Sequence, residues 1–325
     1  MSPDDSPFAP FAGIASFLKA PLIVQPTRAD GEVAVLGVPF DQGATARSGA
    51  RFGPRAIRDA STMYAYFPRG ERVLDGETGT WILDGVRFVD AGDADVPPMA
   101  PVDLYHQRVA GRMRELASAG LFVVGLGGDH SVTYPLLKGL REARFGKPVH
   151  LVQLDTHMDY WSDEGGQLYT HASPVIRAHE DGLISTATQY GIRGLHTLRD
   201  NIEVAQERGV HIFWCEQAKR TPVEELIAHI QPGEDVYLTL DIDALDPCIA
   251  PGTGTPEPGG FSYYEAKAIM RAVAQRANLV GMDVVEVSPP YDVSQITAQH
   301  AARLILDTVG AAFGGAHDPR RRQRM

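Results

Sequence analysis

Asp155, His157 and Asp159 follow the apolar run Val149, Leu151, Val152 and Leu154 at alternate positions. On a chain that stays extended, side chains two apart point the same way. Two carboxylates and an imidazole crowded on one side repel one another or take up protons, because like charge and burial both disfavour the ionised forms. A divalent cation removes that penalty, since carboxylate oxygen and imidazole nitrogen are its natural ligands. A polar strand end frayed into solvent is the plain alternative for this triplet taken alone.

Two further stretches repeat the pattern. GLGGDH carries Asp129 and His130, and LTLDIDALDP carries Asp241 and Asp243, again two apart. Gly127 and Gly128 are expected to let the chain turn tightly and approach a ligand. Separately, each stretch has an ordinary structural explanation; jointly, at three strand ends, they point to one shared site. Asp155, Asp159, Asp241 and Asp243 with neutral His130 and His157 carry a charge that balances two divalent cations. Six ligands exceed the ~4 that one zinc takes, and an oxygen-rich set suits a harder ion such as Mn²⁺. Ions ~3.5–4 Å apart would share Asp155 and Asp241 and hold a water that ionises near neutral pH. Hydrolysis is the reaction class expected.

The elements that position these residues alternate. Strands are expected at VAVLGV, VRFVDAG, LFVVGL, VHLVQL, TQYGIRG, VHIFW, DVYLTLDID and LVGMDVVEV, with helices between them. PVDLYHQRVAGRMRELASAG places Leu104, Val109, Met113 and Leu116 near one face and stops at Gly120. Thr221, Pro222 and Glu224 read as a capping box, as do Ser262 and Glu265, the latter before a stripe of Ala266, Ile269, Met270, Val273 and Ala277. This alternation predicts right-handed crossovers and a parallel sheet covered on both faces, a single three-layer α/β/α domain of eight mostly parallel strands. A closed eight-stranded barrel is the alternative, because periodicity does not reveal strand order. In either case the site belongs at the carboxyl ends of the strands.

The 325 residues, 44% hydrophobic and 22% charged, lie in the ordinary globular range and exclude a disordered chain. No apolar run reaches membrane-spanning length, and the N-terminal stretch lacks a basic signal-peptide region, so a cytoplasmic location is expected. The formal charge of −11 disfavours a nucleic-acid partner and favours a cationic substrate. Cys215 and Cys248 are too few for a disulfide framework and read as buried free thiols. Residues 1–31 read as an N-terminal arm, 32–315 as the catalytic domain and 316–325 as a mobile basic tail.

GGDHS, DxHxD and DIDALDPxxAPGTGTPEPGG, with GVPFDQGxxxRxGxRxGPRAIR and VEVSPPYD, resemble the ureohydrolase family of agmatinases, arginases and guanidino-acid hydrolases, nearest its agmatinase-like branch. The resemblance implies an arginase-like sandwich around an eight-stranded parallel sheet, and cleavage of a guanidino group to urea and an amine. It implies two Mn²⁺, with Ni²⁺ as the alternative, and a homotrimer or homohexamer, or a hetero-oligomer with a paralogue. By motif, His130, Asp155, Asp159 and Asp241 would hold one metal, and Asp155, His157, Asp241 and Asp243 the other. Glu286, in VVEVSPP, would bind the guanidinium. His171, in LYTHASP, would shuttle protons, with Asp243 relaying one to the leaving nitrogen.

Three features depart from the common agmatinase text: Thr156 between the first ligands, HASP after the histidine, and bulky Tyr160 and Trp161 after the cluster. These two aromatics are expected beside the substrate, narrowing the pocket or stacking on a delocalised cation, or else as packing residues. Agmatine, a guanidino acid, guanidine, and substituted guanidines or biguanides are therefore all open as substrates. A binuclear metallophosphoesterase would need an asparagine–histidine motif and a phosphate clamp, which are not seen. A deacetylase of related fold would keep one metal, and a non-catalytic subunit would be expected to lose ligands.

Overall fold

The computed structural model describes residues 10–66, 69–97, 99–163, 165–195 and 199–314, so the expected basic tail lies outside the described residues. Ten strands form among the described residues: β1 (Val33–Gly37), β2 (Val73–Asp75), β3 (Thr80–Ile82), β4 (Phe88–Asp93), β5 (Phe122–Leu126), β6 (Val149–Leu154), β7 (Ile184–Ile192), β8 (His211–Trp214), β9 (Asp235–Asp241) and β10 (Asn278–Val285). Eight of them make one sheet in the order β4-β1-β5-β10-β9-β6-β7-β8, with every pairing parallel. The sheet is open, with β4 and β8 at its edges, so the barrel alternative falls. The eight expected strands are those of this sheet. The antiparallel hairpin β2–β3 was not expected, because strands of three residues are too short to show a period.

Burial explains the apolar runs. All five residues of β1 are buried, but Val33 and Val35 join one apolar layer while Ala34 and Leu36 join the other. A parallel strand with both faces covered shows such continuous hydrophobicity. One face is covered by α1 (Gly53–Ser61), α8 (Tyr263–Arg276) and α9 (Ile296–Phe313), the other by α2 (Val102–Ser118), α3 (Thr133–Ala143) and α4 (Pro174–Glu180). Of the shorter helices, α5 (Arg199–Glu207) adds Ala205 to the second layer, and α6 (Cys215–Arg220) and α7 (Val223–Leu226) add Cys215, Ala218 and Leu226 to the first. The arm packs on its own sheet: Phe17 is in the first core layer, and Leu22 bridges to Asp90.

The capping box at Ser262 forms as expected, the hydroxyl accepting from the Glu265 amide and Glu265 accepting from the Ser262 amide. The one at Thr221 does not. Its hydroxyl donates to Gln217 O at 2.9 Å, closing α6, and α7 begins after Pro222 and lasts four residues. Cys215 is buried, but Cys248 is exposed, in the turn after β9, correcting the expectation of two buried thiols. Among the described residues no helix is long and apolar enough to cross a membrane.

Candidate metal centre

Strand order assembles the site. The four central neighbours β5, β10, β9 and β6 end side by side, with Leu126 beside Val284, Val285 beside Asp241, and Leu240 beside Leu154. Just beyond those ends come Glu286 and Asp155, one residue past Val285 and Leu154, Asp243, two past Asp241, and His130, four past Leu126. The DTHMD segment reaches the site by a route other than the expected alternation. The strand stops at Leu154, the chain bends through Thr156 and His157, and Asp159 takes a left-handed conformation at φ +50°. A turn, instead of a pleat, brings the three side chains together.

Two groups of donor atoms result, His130 with Asp155 and Asp159, and Asp155 with His157 and Asp243, each within 4.8 Å. His130 Nδ1 lies 2.7 Å from Asp159 Oδ2, 3.0 Å from Asp155 Oδ2 and 3.4 Å from Asp241 Oδ2. His157 Nδ1 lies 3.2 Å from Asp243 Oδ2 and 3.6 Å from Asp155 Oδ1. Asp155 belongs to both groups, and Asp241 stands beside the first.

The electrostatics are those of carboxylates in want of positive charge. Burial pushes Asp159 up to about 6, with the Asp155 charge adding to it, and Asp241 well above the carboxylate range, with Asp243 and Asp155 adding. Burial would lower His130, yet the carboxylates of Asp159, Asp155 and Asp241 outweigh it and raise the imidazole well above its ordinary value. His130 Nδ1 and Asp159 Oδ2 are buried with no correctly oriented hydrogen-bond partner, though they face each other. Buried polar atoms left in this way are costly. Nitrogen and oxygen lone pairs aimed at a common point fit a divalent cation.

Several supporting residues escaped the sequence reading. His130 Nε2 lies 2.9 Å from Thr239 Oγ1, which donates at 2.5 Å to the fully buried Asp283. Tyr237 and Thr133 donate to the same carboxylate. Such a relay fixes the orientation of a ligating histidine. Gln189 donates to Gln153, which donates to Asp155 Oδ2 at 2.6 Å. The signal was present for Gln153, Thr239 and Asp283, polar residues inside mostly apolar strands, and weaker for Gln189, whose strand also holds Ser185, Thr186 and Thr188. Gly127 and Gly128 are hemmed in by neighbouring chain. A Cβ on Gly128 would meet Phe40 O at 1.6 Å, and one on Gly127 would meet Val285 at 2.5 Å, so these glycines admit neighbouring chain.

Glu286 follows β10 in a left-handed conformation at φ +63°, rare for this residue type and the kind of outlier found at functional sites. It is held by donation of its amide to Gly128 O at 2.8 Å and by the His130 amide donating to Oε1 at 2.9 Å. His171 Nδ1 lies 3.2 Å from the same Oε1. Burial would lower His171, but Glu286, Asp129 and Asp159 push it up to about 9.

A cavity of about 240 Å³ opens over the cluster, lined by His157, Asp159, His171 and Asp241 at its floor and by Trp161 and Glu257 among others. Trp161 is partly exposed there, its amide tied to Ala172 O. Tyr160 also lines the cavity but is 1% exposed in the second core layer, its hydroxyl 3.0 Å from His179 Nδ1 on α4. Of the two aromatics, it is Tyr160 that packs.

The arginase family model matches residues 31–310. The guanidinopropionase of Pseudomonas aeruginosa is 36% identical over 308 residues, covering 91% of this chain and 91% of that protein. The agmatinase of Cronobacter sakazakii is 36% identical over 299 residues, covering 90% of each. Among solved structures, the proclavaminate amidino hydrolase of Streptomyces clavuligerus superposes with a TM-score of 0.81 at 33% identity, over 93% of this chain and 98% of that one.

Proposed function

The chain belongs to the arginase family, and from that premise we propose how its own residues carry out the ureohydrolase reaction, the hydrolysis of a linear guanidino compound to urea and an amine. Enzymes of the family use a binuclear divalent metal centre. Here His130, Asp155, Asp159 and Asp241 would hold one ion, and Asp155, His157, Asp241 and Asp243 the other. When bound, the pair supplies the positive charge that acidifies a water and offsets negative charge developing on the guanidino group. The oxygen-rich donor set favours Mn²⁺ over Ni²⁺.

The remaining steps belong to side chains. Glu286 accepts N–H bonds from the planar guanidinium and orients its carbon over the cluster. The Asp243 carboxylate, which accepts from the Thr156 amide at 3.1 Å, receives a proton and relays it toward the leaving nitrogen. His171 shuttles a further proton between solvent at the cavity mouth and the departing amine. Trp161 is placed to cover the substrate's delocalised cation or its alkyl stem.

The substrate tail is read from the cavity wall. Among the described lining residues the one arginine, Arg193, donates to the carbonyls of Asp243 at 2.7 Å and Glu257 at 2.8 Å, and so is turned toward backbone. Among the described lining residues no second arginine and no lysine is offered to a carboxylate tail, whereas an ammonium tail would meet Glu257 in a protein of formal charge −11. Agmatine-like substrates are therefore favoured over guanidino acids. We place the enzyme in the cytoplasm as a homotrimer or homohexamer; the family resemblance supports this.

The observation that carries this reading is the convergence of three strand-end motifs on a single carboxylate, Asp155, with an imidazole on either side. The test is urea release by protein loaded separately with Mn²⁺ and Ni²⁺, across guanidine, guanidinobutyrate, agmatine and a biguanide. Agmatine with Mn²⁺ is expected to be fastest. No urea from any of them with either ion would overturn the reading.

A further inference from the structure

His171 is gripped on both ring nitrogens. Nδ1 faces Glu286 Oε1, and Nε2 receives the Thr45 amide at 3.2 Å and lies 2.8 Å from Thr45 Oγ1. A backbone N–H can only donate, so Nε2 must present a lone pair to it, and the ring hydrogen of the neutral imidazole then sits on Nδ1, toward Glu286.

The loop that carries Thr45 is locked in place. The Gly43 amide donates to the buried Asp129 at 2.7 Å, and Gly43 O accepts from the His171 amide at 3.0 Å. A Cβ on Gly43 would lie 3.0 Å from both Asp129 Oδ2 and Ser131 Oγ, so a side chain would be crowded there. Further along, Arg47 is anchored to Gly254 O at 2.9 Å and Thr253 O at 2.8 Å. Asp129, next to His130 in the GGDH motif, thus serves this loop.

We propose that Thr45 is a positioning residue for urea release, its amide and hydroxyl holding His171 as the Nδ1–H tautomer and resisting a second proton on Nε2. The functional part of this rests on the ureohydrolase reading above. The charged groups that face His171 act in the opposite sense: Glu286 after β10, Asp129 after β5 and Asp159 after β6 are all carboxylates that favour the imidazolium. The Arg47 charge on the Thr45 loop is directed at carbonyls of the 253–254 turn. Protonating Nε2 would set N–H against N–H, so the imidazolium forms as the Thr45 contact opens. Since Thr45 lies on the cavity wall, proton uptake at His171 is linked to movement of that wall.

The test compares the pH profile of kcat/KM for the Mn²⁺ enzyme on agmatine in wild type, Thr45→Val and Thr45→Ser. Valine keeps the amide and removes the hydroxyl donor, so the limb that disappears in His171→Asn should move to higher pH by about half a unit to one unit, a three- to tenfold change in proton affinity. Serine should restore the wild-type profile. A valine profile that superposes on wild type or moves to lower pH, the sign of a hydroxyl that accepts from Nε2–H, or a serine profile displaced as far as valine, overturns the proposal. A second measurement needs no turnover: ¹⁵N shifts of the His171 ring in protein loaded with diamagnetic Zn²⁺, assigned by their loss in His171→Gln. Against the lowering by burial, Glu286, Asp129 and Asp159 push the ring up to about 9, so protonated Nδ1 with bare Nε2 is expected once the ring is neutral, above about pH 9, and an Nε2–H tautomer there overturns it. Wild type that releases no urea but gives the expected shifts would count against the ureohydrolase reading alone.

Discussion

Asp155 Oδ2 lies 3.0 Å from His130 Nδ1, while the other oxygen of the same carboxylate accepts the His157 amide at 2.6 Å. One side chain therefore ties together both donor groups. Asp155→Asn keeps the shape and removes the charge, so protein dialysed against Mn²⁺ should retain fewer than two ions per chain by elemental analysis. Urea release should fall about 10²–10³-fold or more, the scale of losing one preorganised electrostatic contact at a transition state. Full metal content with undiminished turnover would remove Asp155 from the centre.

Glu286 is 2% exposed and receives the His130 amide as well as facing His171. Glu286→Gln preserves those contacts in outline but cannot pair as an anion with a guanidinium. The expected loss in kcat/KM is about 10- to 100-fold, that of a charged hydrogen bond, with metal content unchanged. Steady-state kinetics with parallel metal analysis separates this from a defect in the cluster.

Asp75, in the hairpin, is pushed up by burial but held down to about 2 by the Glu77 amide, Arg271 and Thr78, with Lys267 adding its charge. Its folded value lies below the unfolded one, so its contribution is complete above about pH 4 and is lost as pH falls toward 2. Asp75→Asn should lower Tm at pH 7, and its difference from wild type should narrow between about pH 4 and 2. Equal Tm differences across that range would refute the assignment.

The two predicted capping boxes make a paired test. Ser262→Ala removes a formed cap and should cost about 1 kcal/mol in chemical denaturation. Thr221→Ala removes a hydroxyl that ends one short helix, and should cost less than half as much. Equal losses would contradict the difference in their hydrogen bonding.

What the sequence determined by itself was the kind of fold and the acid and imidazole residues that the structure gathers in one cluster. Apolar runs such as Val33–Leu36, buried on both faces, report a parallel sheet, and the acid and imidazole residues that follow such runs report its active end. Tertiary structure decided how those residues meet. Asp155, His157 and Asp159 converge through a left-handed turn at Asp159, and a period of two or 3.6 does not encode a single residue of that conformation. The order β5-β10-β9-β6 brings together residues from 129 to 286, and the Thr45 contact with His171 spans 126 positions. Pairings that distant are chosen by the summed burial of whole elements, so no stretch of a few residues carries them in its own pattern.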